Sequence, residues 1–133
     1  MVENKESFSS SDAGKVSPAC LITSSLKGKN IIIFLKGEID LDSASKVFNN
    51  IWTETDGGQR GLLLDLEALD FMDSSGLQIL LRLKEKLNNI GKELLIVNPS
   101  NQIRKLFQLT GFDKLFRIFG DADEAFSQLN DQT

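Results

Sequence analysis

Asp73-Ser74-Ser75-Gly76 is the stretch of this 133-residue chain whose residue types and spacing could do chemistry. Before it, Gly61-Leu62-Leu63-Leu64-Asp65-Leu66 has the length and punctuation of a buried strand, and after it Leu77, Leu80, Leu83, Leu87 and Ile90 recur at helical spacing. The Asp-Ser-Ser-Gly therefore falls at a strand-to-helix junction. There the first amides of the helix lack intrahelical partners and the macrodipole places partial positive charge, so the position suits serine caps, carboxylates and phosphate. A serine so placed can carry a switchable charge.

Two serines compete for the capping role. Ser75-Gly76-Leu77-Gln78 has the Ser-x-x-Gln form of a capping box, with the Ser75 oxygen expected on the Gln78 amide. That arrangement leaves Ser74 outside the helix with its hydroxyl unengaged. If Ser74 caps instead, Ser75 becomes the first helical residue, and both serines acting only as caps is the plainer alternative. Further along the helix, at about 100° per residue, Leu80, Leu83, Leu87 and Ile90 share one face while Leu77 and Leu81 lie to its side. Leu77 and Leu81 are expected to be partly exposed, either as an anchor for a partner or as a widened core stripe.

Other chemistries find no support in the composition. The chain has no histidine and no tyrosine, which removes Ser-His-acid and Cys-His mechanisms. Asp65, Asp70 and Asp73 do not have the spacing of an EF-hand, and Cys20, the single cysteine, has no companion for a metal site or an intramolecular disulfide. There is no Gly-x-Ser-x-Gly elbow and no phosphate-binding Gly-x-x-x-x-Gly-Lys loop. A formal net charge of -4 without a Lys/Arg block argues against nucleic acid as a partner. No signal-peptide core or membrane-length segment is seen, so a cytoplasmic protein without a membrane partner is expected.

Several elements must position the site. Residues 1–18 are polar and serine-rich and are expected as a flexible tail, with one domain over 19–130. Ala19 to Leu26 and Ile31-Ile32-Ile33-Phe34-Leu35 read as a hairpin, the second run as a central strand. Gly37-Glu38-Ile39-Asp40 leaves that strand, and Asp42 or Ser43 caps a helix carrying Ala44, Val47, Phe48, Ile51 and Trp52. After Asp56-Gly57-Gly58 comes the Gly61–Leu66 strand, then the Ser74 helix, stopped by Gly91. Glu93 to Val97 is a further strand, and Asn98-Pro99-Ser100 leads into a helix carrying Ile103, Leu106 and Phe107, with Leu109 at its margin. Leu115 to Phe119 is the last strand, before a short helix carrying Ala122, Ala125, Phe126 and Leu129. Alternation of this kind predicts a single α/β domain with a mixed sheet of about five strands and about four helices.

Taken together, Gly37-Glu38-Ile39-Asp40, Leu64-Asp65-Leu66 through Phe71-Met72-Asp73-Ser74-Ser75-Gly76-Leu77, and Asn98-Pro99 through Leu106-Phe107, Thr110-Gly111-Phe112 and Leu115-Phe116 resemble the STAS domain family. Within it the chain resembles the bacterial anti-sigma factor antagonists. With no catalytic set in the sequence, no enzymatic activity is expected; the resemblance implies that no cofactor is bound here, and a phosphorylation-controlled partner switch with Ser74 as the modified residue and Ser75 as runner-up. It further implies docking of the unmodified protein on a serine-kinase anti-sigma factor, with release of the sigma factor, and resetting by a metal-dependent serine phosphatase. Glu38, Asp40, Asp42, Asp73, Ser75, Gly76, Leu77 and Leu81 are the residues expected at the partner surface. A STAS signalling or scaffold module acting on a non-sigma target is the alternative.

Overall fold

The computed structural model describes residues 20–55 and 58–130. The expected tail over residues 1–18 lies outside them, as do Ala19 and the Asp56-Gly57 part of the expected turn. In chain order the elements are β1 (Cys20–Lys27), β2 (Asn30–Ile39), α1 (Ala44–Glu54), β3 (Gly61–Asp65), β4 (Leu69–Met72) and α2 (Ser74–Asn89). They continue with β5 (Glu93–Val97), α3 (Asn101–Thr110), a 3-10 turn at Phe112–Lys114, β6 (Arg117–Phe119) and α4 (Ala122–Asn130). The predicted α/β class and mixed sheet are observed, with six strands where about five were expected.

Sheet order is β1-β2-β3-β5-β6, with β4 pairing β2. The β1–β2 hairpin is antiparallel and the remaining pairs are parallel. The long strand β2 pairs with β3 along its first half, Asn30 to Phe34, and with β4 along its end, Gly37 to Ile39. Thus β3 and β4 occupy one lane beside β2, separated by a tight turn in which the Leu69 amide donates to the Leu66 carbonyl at 3.2 Å. This extra strand aims the chain so that Ser74 emerges beyond the end of the sheet.

Period-two alternation assigns the two faces of β2. Ile31, Ile33 and Leu35 join Leu62, Leu64, Leu94 and Ile96 beneath α1, α2 and α3. Ile32, Leu63, Leu95 and Val97 face Ala125 and Leu129 of α4. Phe34, expected in a strand buried on both sides, is not part of the cluster under α4 and is exposed. Helices α1 and α2 are further joined by stacking of the Arg82 guanidinium over Phe48 at 4.2 Å and of the Lys86 ammonium over Trp52 at 4.9 Å. Phe107, fully buried on α3, stacks with Phe112 and Phe116 at centroid distances of 6.5 and 6.3 Å, closing the core at that flank.

Ile90 and Leu115 also depart from their expected places. Ile90 was placed on the core face of α2, but it is the C-cap, beyond the last helical turn, and stays 54% exposed. Leu115 was placed in the last strand, but the 3-10 turn takes up the chain to Leu115 and the strand begins at Arg117. Cys20 packs partly against the core, and burial pushes its thiol pKa up to about 12, against a lowering by a hydrogen bond from the Lys36 backbone. That shift disfavours the nucleophilic thiolate at neutral pH.

Candidate functional site

Asp73, not either serine, caps α2. Its Oδ1 accepts from the Ser75 amide at 2.8 Å and the Gly76 amide at 3.4 Å, while its backbone is extended. The expected Ser75–Gln78 capping box is accordingly not formed. Asp73 was available to sequence reasoning, since aspartate ranks with serine at this position. The correction leaves Ser74 as the first helical residue, exposed, with a hydroxyl that has no hydrogen-bond partner among the described residues. Ser75 follows, half-buried. No acidic residue occupies the first turn of α2, and the Asp73 carboxylate at the cap offsets the partial positive charge there. Asp73→Ala is expected to destabilise the protein by about 1 kcal/mol, read as a lower urea midpoint with unchanged slope.

The first turn of α2 lies close on β4. A Cβ on Gly76 would stand 3.0 Å from Met72 Cβ and 3.1 Å from its Cγ and Sδ, so glycine permits the approach. That approach carries Leu77 into the core, where it is 7% exposed and not the partly exposed residue expected. Leu81, one turn later, is half-buried as expected.

The Asp73 amide donates to the Ile39 carbonyl at 3.2 Å, which brings the end of β2 and the loop after it beside Ser74. In that loop Asp40 and Ser43 brace each other. The Asp40 amide donates to Ser43 Oγ at 3.0 Å, and Asp40 Oδ1 accepts from the Ser43 amide at 3.0 Å and from Ser43 Oγ at 3.1 Å. Ser43 is the N-cap of α1 by position, but its side chain bonds back to Asp40 and not to a helix amide. Asp42 and Glu38 are exposed, Glu38 opposite Phe71 of β4. Glu38, Asp40, Asp42 and Asp73 are thus gathered with Ser74, Ser75 and Gly76 at one end of the sheet.

Sequence reading missed the brace beneath this site. Ser100 caps α3, its Oγ accepting from the Ile103 amide at 3.4 Å, and the same hydroxyl donates to the Leu69 carbonyl at 2.7 Å. Its amide donates to the Leu66 carbonyl at 3.2 Å, and Asn98 Nδ2 donates to Glu67 Oε1 at 3.0 Å. The Asn98-Pro99-Ser100 loop therefore fixes both ends of the β3–β4 turn and, through β4, the direction of Ser74.

The acids Asp65, Asp70 and Asp73 have separate placements. Asp65 accepts from the Glu67 amide at 3.0 Å, and partial burial raises its pKa above the ordinary carboxylate value. Asp70 is exposed in the β-bulge of β4, and Asp73 is the cap. A concavity of about 940 Å³ lies at the opposite end of the sheet around Lys27, Lys29, Arg60 and Lys92 and touches none of the residues around Ser74. Among the described residues, no helix is long and apolar enough to cross a membrane.

With this fold and this end of the sheet, the chain belongs to the STAS domain family, whose model matches residues 23–125. It is similar to the anti-sigma-B factor antagonist of Staphylococcus aureus, 30% identical over 82 residues, which cover 62% of this chain and 76% of that protein. A solved anti-sigma factor antagonist from Mycobacterium paratuberculosis superposes with a TM-score of 0.77 at 25% identity, covering 86% of this chain and 97% of that one. The anti-sigma factor antagonist SpoIIAA in its unphosphorylated form superposes with a TM-score of 0.69 at 25% identity, covering 83% and 96%. The phosphorylated form of SpoIIAA superposes with a TM-score of 0.62 at the same identity, covering 82% and 99%.

Proposed function

We propose that this protein is an anti-sigma factor antagonist whose binding to a serine-kinase anti-sigma factor is controlled by phosphorylation of Ser74. The observation that carries the reading is the exposed, unengaged Ser74 hydroxyl at the N-terminus of α2 in a STAS domain. Relatives described as anti-sigma factor antagonists, and a SpoIIAA known with and without phosphate, support it.

The unmodified protein docks through the Ser74 loop, the start of α2 and the Glu38–Asp42 loop, and displaces the sigma factor. A kinase partner must bring its nucleotide phosphates to the Ser74 oxygen. Transfer then leaves a group of about -1.5 to -2 charges facing those phosphates and beside Asp73, where docking would also strip its water. Within the free protein the same group meets the exposed amides and dipole of α2, so the fold tolerates it. The outcome is lost binding with little change of structure, reversed by a metal-dependent serine phosphatase. ATP belongs to the kinase. Ser75 is the less favourable acceptor because it is half-buried.

The test is displacement. Adding the unmodified protein to a purified complex of the source organism's serine-kinase anti-sigma factor and its sigma factor should free the sigma factor in proportion to the amount added. A complex that stays intact at saturating protein would contradict the proposal.

A further inference from the structure

Because Leu77 is buried, an apolar contact for a partner beside Ser74 has to come from another part of this end of the fold. A groove of about 230 Å³ between β4 and the outer flank of α3 supplies one. Met72 and Ile103, both buried, form its floor, and Phe71 and Leu106 its walls. Leu109 stands at the rim and is 79% exposed. Leu106 and Leu109 share a flank of α3 by their helical spacing, outside the stripe that Ile103 and Phe107 bury. A single exposed leucine is ordinary, but Phe71, Leu106 and Leu109 around one concavity form a patch.

We propose that this groove receives an apolar side chain of the serine-kinase anti-sigma factor, from a segment that also carries Lys or Arg; the inference rests on the partner switch proposed above. Position is the first reason. Phe71 and Met72, which line the groove, run directly into Asp73 and Ser74, so the groove is continuous along β4 with the loop through which the partner docks. Charge is the second. Glu38, Asp40, Asp42, Asp70 and Asp73 lie around the groove and the Ser74 loop, and none forms an ion pair with a described cation. Lys105 is the one cation lining the groove. A segment complementary to this end therefore presents basic groups to the carboxylates and an apolar group to the groove. The carboxylates attract and orient the partner, while the groove supplies the dry contact.

The test compares the purified kinase's affinity for the wild type, Leu109→Arg, Ile90→Arg and Ser74→Asp. Leu109 is so exposed that its replacement leaves folding intact, which circular dichroism and the unfolding midpoint verify. The expected result is roughly tenfold or greater weakening for Leu109→Arg. Ile90→Arg, at the far end of α2, should bind like the wild type. A photo-crosslinking residue at position 109 should attach to a kinase peptide with an apolar residue flanked by Lys or Arg. Unchanged affinity of Leu109→Arg, with Ser74→Asp still defective, overturns the groove and leaves the switch standing. Wild type that fails to bind overturns the switch and the groove with it. Crosslinks at position 109 only between copies of this chain would make the groove a self-association surface, which also overturns the proposal.

Discussion

Ser74→Asp is expected to weaken binding to the serine-kinase anti-sigma factor by roughly 30-fold or more, because a like charge placed at a docked, desolvated contact costs several kcal/mol. Ser74→Ala should bind within about threefold of the wild type, since the loss of one unengaged surface hydroxyl removes little. The contrast follows from the geometry. Ser74 is the first residue of α2 and Asp73 already fills the cap, so neither replacement removes a bond that holds the helix. Both variants should therefore unfold at nearly the wild-type urea concentration. Isothermal titration calorimetry with the purified kinase measures the difference, and equal affinity of the two variants would contradict the switch. In cells the alanine variant should free the sigma factor constitutively.

The largest expected effect on stability is at Phe107. Phe107→Ala should cost about 3–5 kcal/mol, from lost burial and from the cavity left between Phe112 and Phe116. Against a total of about 5–15 kcal/mol for a domain of this kind, that is a large share. A consequence reaches the site, because α3 carries the Ser100 brace that holds the β3–β4 turn. Loosening α3 should therefore raise amide exchange in β4 before it does so in β3 or β5, whose pairs lie in the middle of the sheet. Urea unfolding and hydrogen exchange read the two effects separately. A loss below about 1 kcal/mol would show that the Phe107 site collapses around the smaller side chain.

Much of this was legible in the sequence because the signals were continuous. Strand β5 lies at Glu93–Val97 as read, and Ala44, Val47, Phe48 and Ile51 of α1 and Ile103 and Phe107 of α3 are buried at the expected spacing, whereas Trp52 and Leu106 are only partly buried and Leu109 is exposed. Strand β4 was not legible: it is short, its turn has no glycine or proline, and the bulge at Asp70 breaks the alternation that marks a strand. Without β4, neither the burial of Leu77 nor the close packing of Gly76 on Met72 could be foreseen. The cap was misplaced for a related reason. Three adjacent residues, Asp73, Ser74 and Ser75, are all good caps, and only the β4 register, through the Asp73–Ile39 hydrogen bond, decides among them. The groove depends on contact between β4 and α3, which no local pattern encodes.

The most direct measurement of the central claim is phosphosite mapping. The wild type and Ser74→Ala would each be incubated with ATP and the purified serine-kinase anti-sigma factor, then measured by intact mass and peptide sequencing. The account predicts one phosphate on the wild type, at Ser74, and none on the variant. Phosphate at Ser75 in both proteins, or none on either while the kinase modifies another substrate, would contradict it.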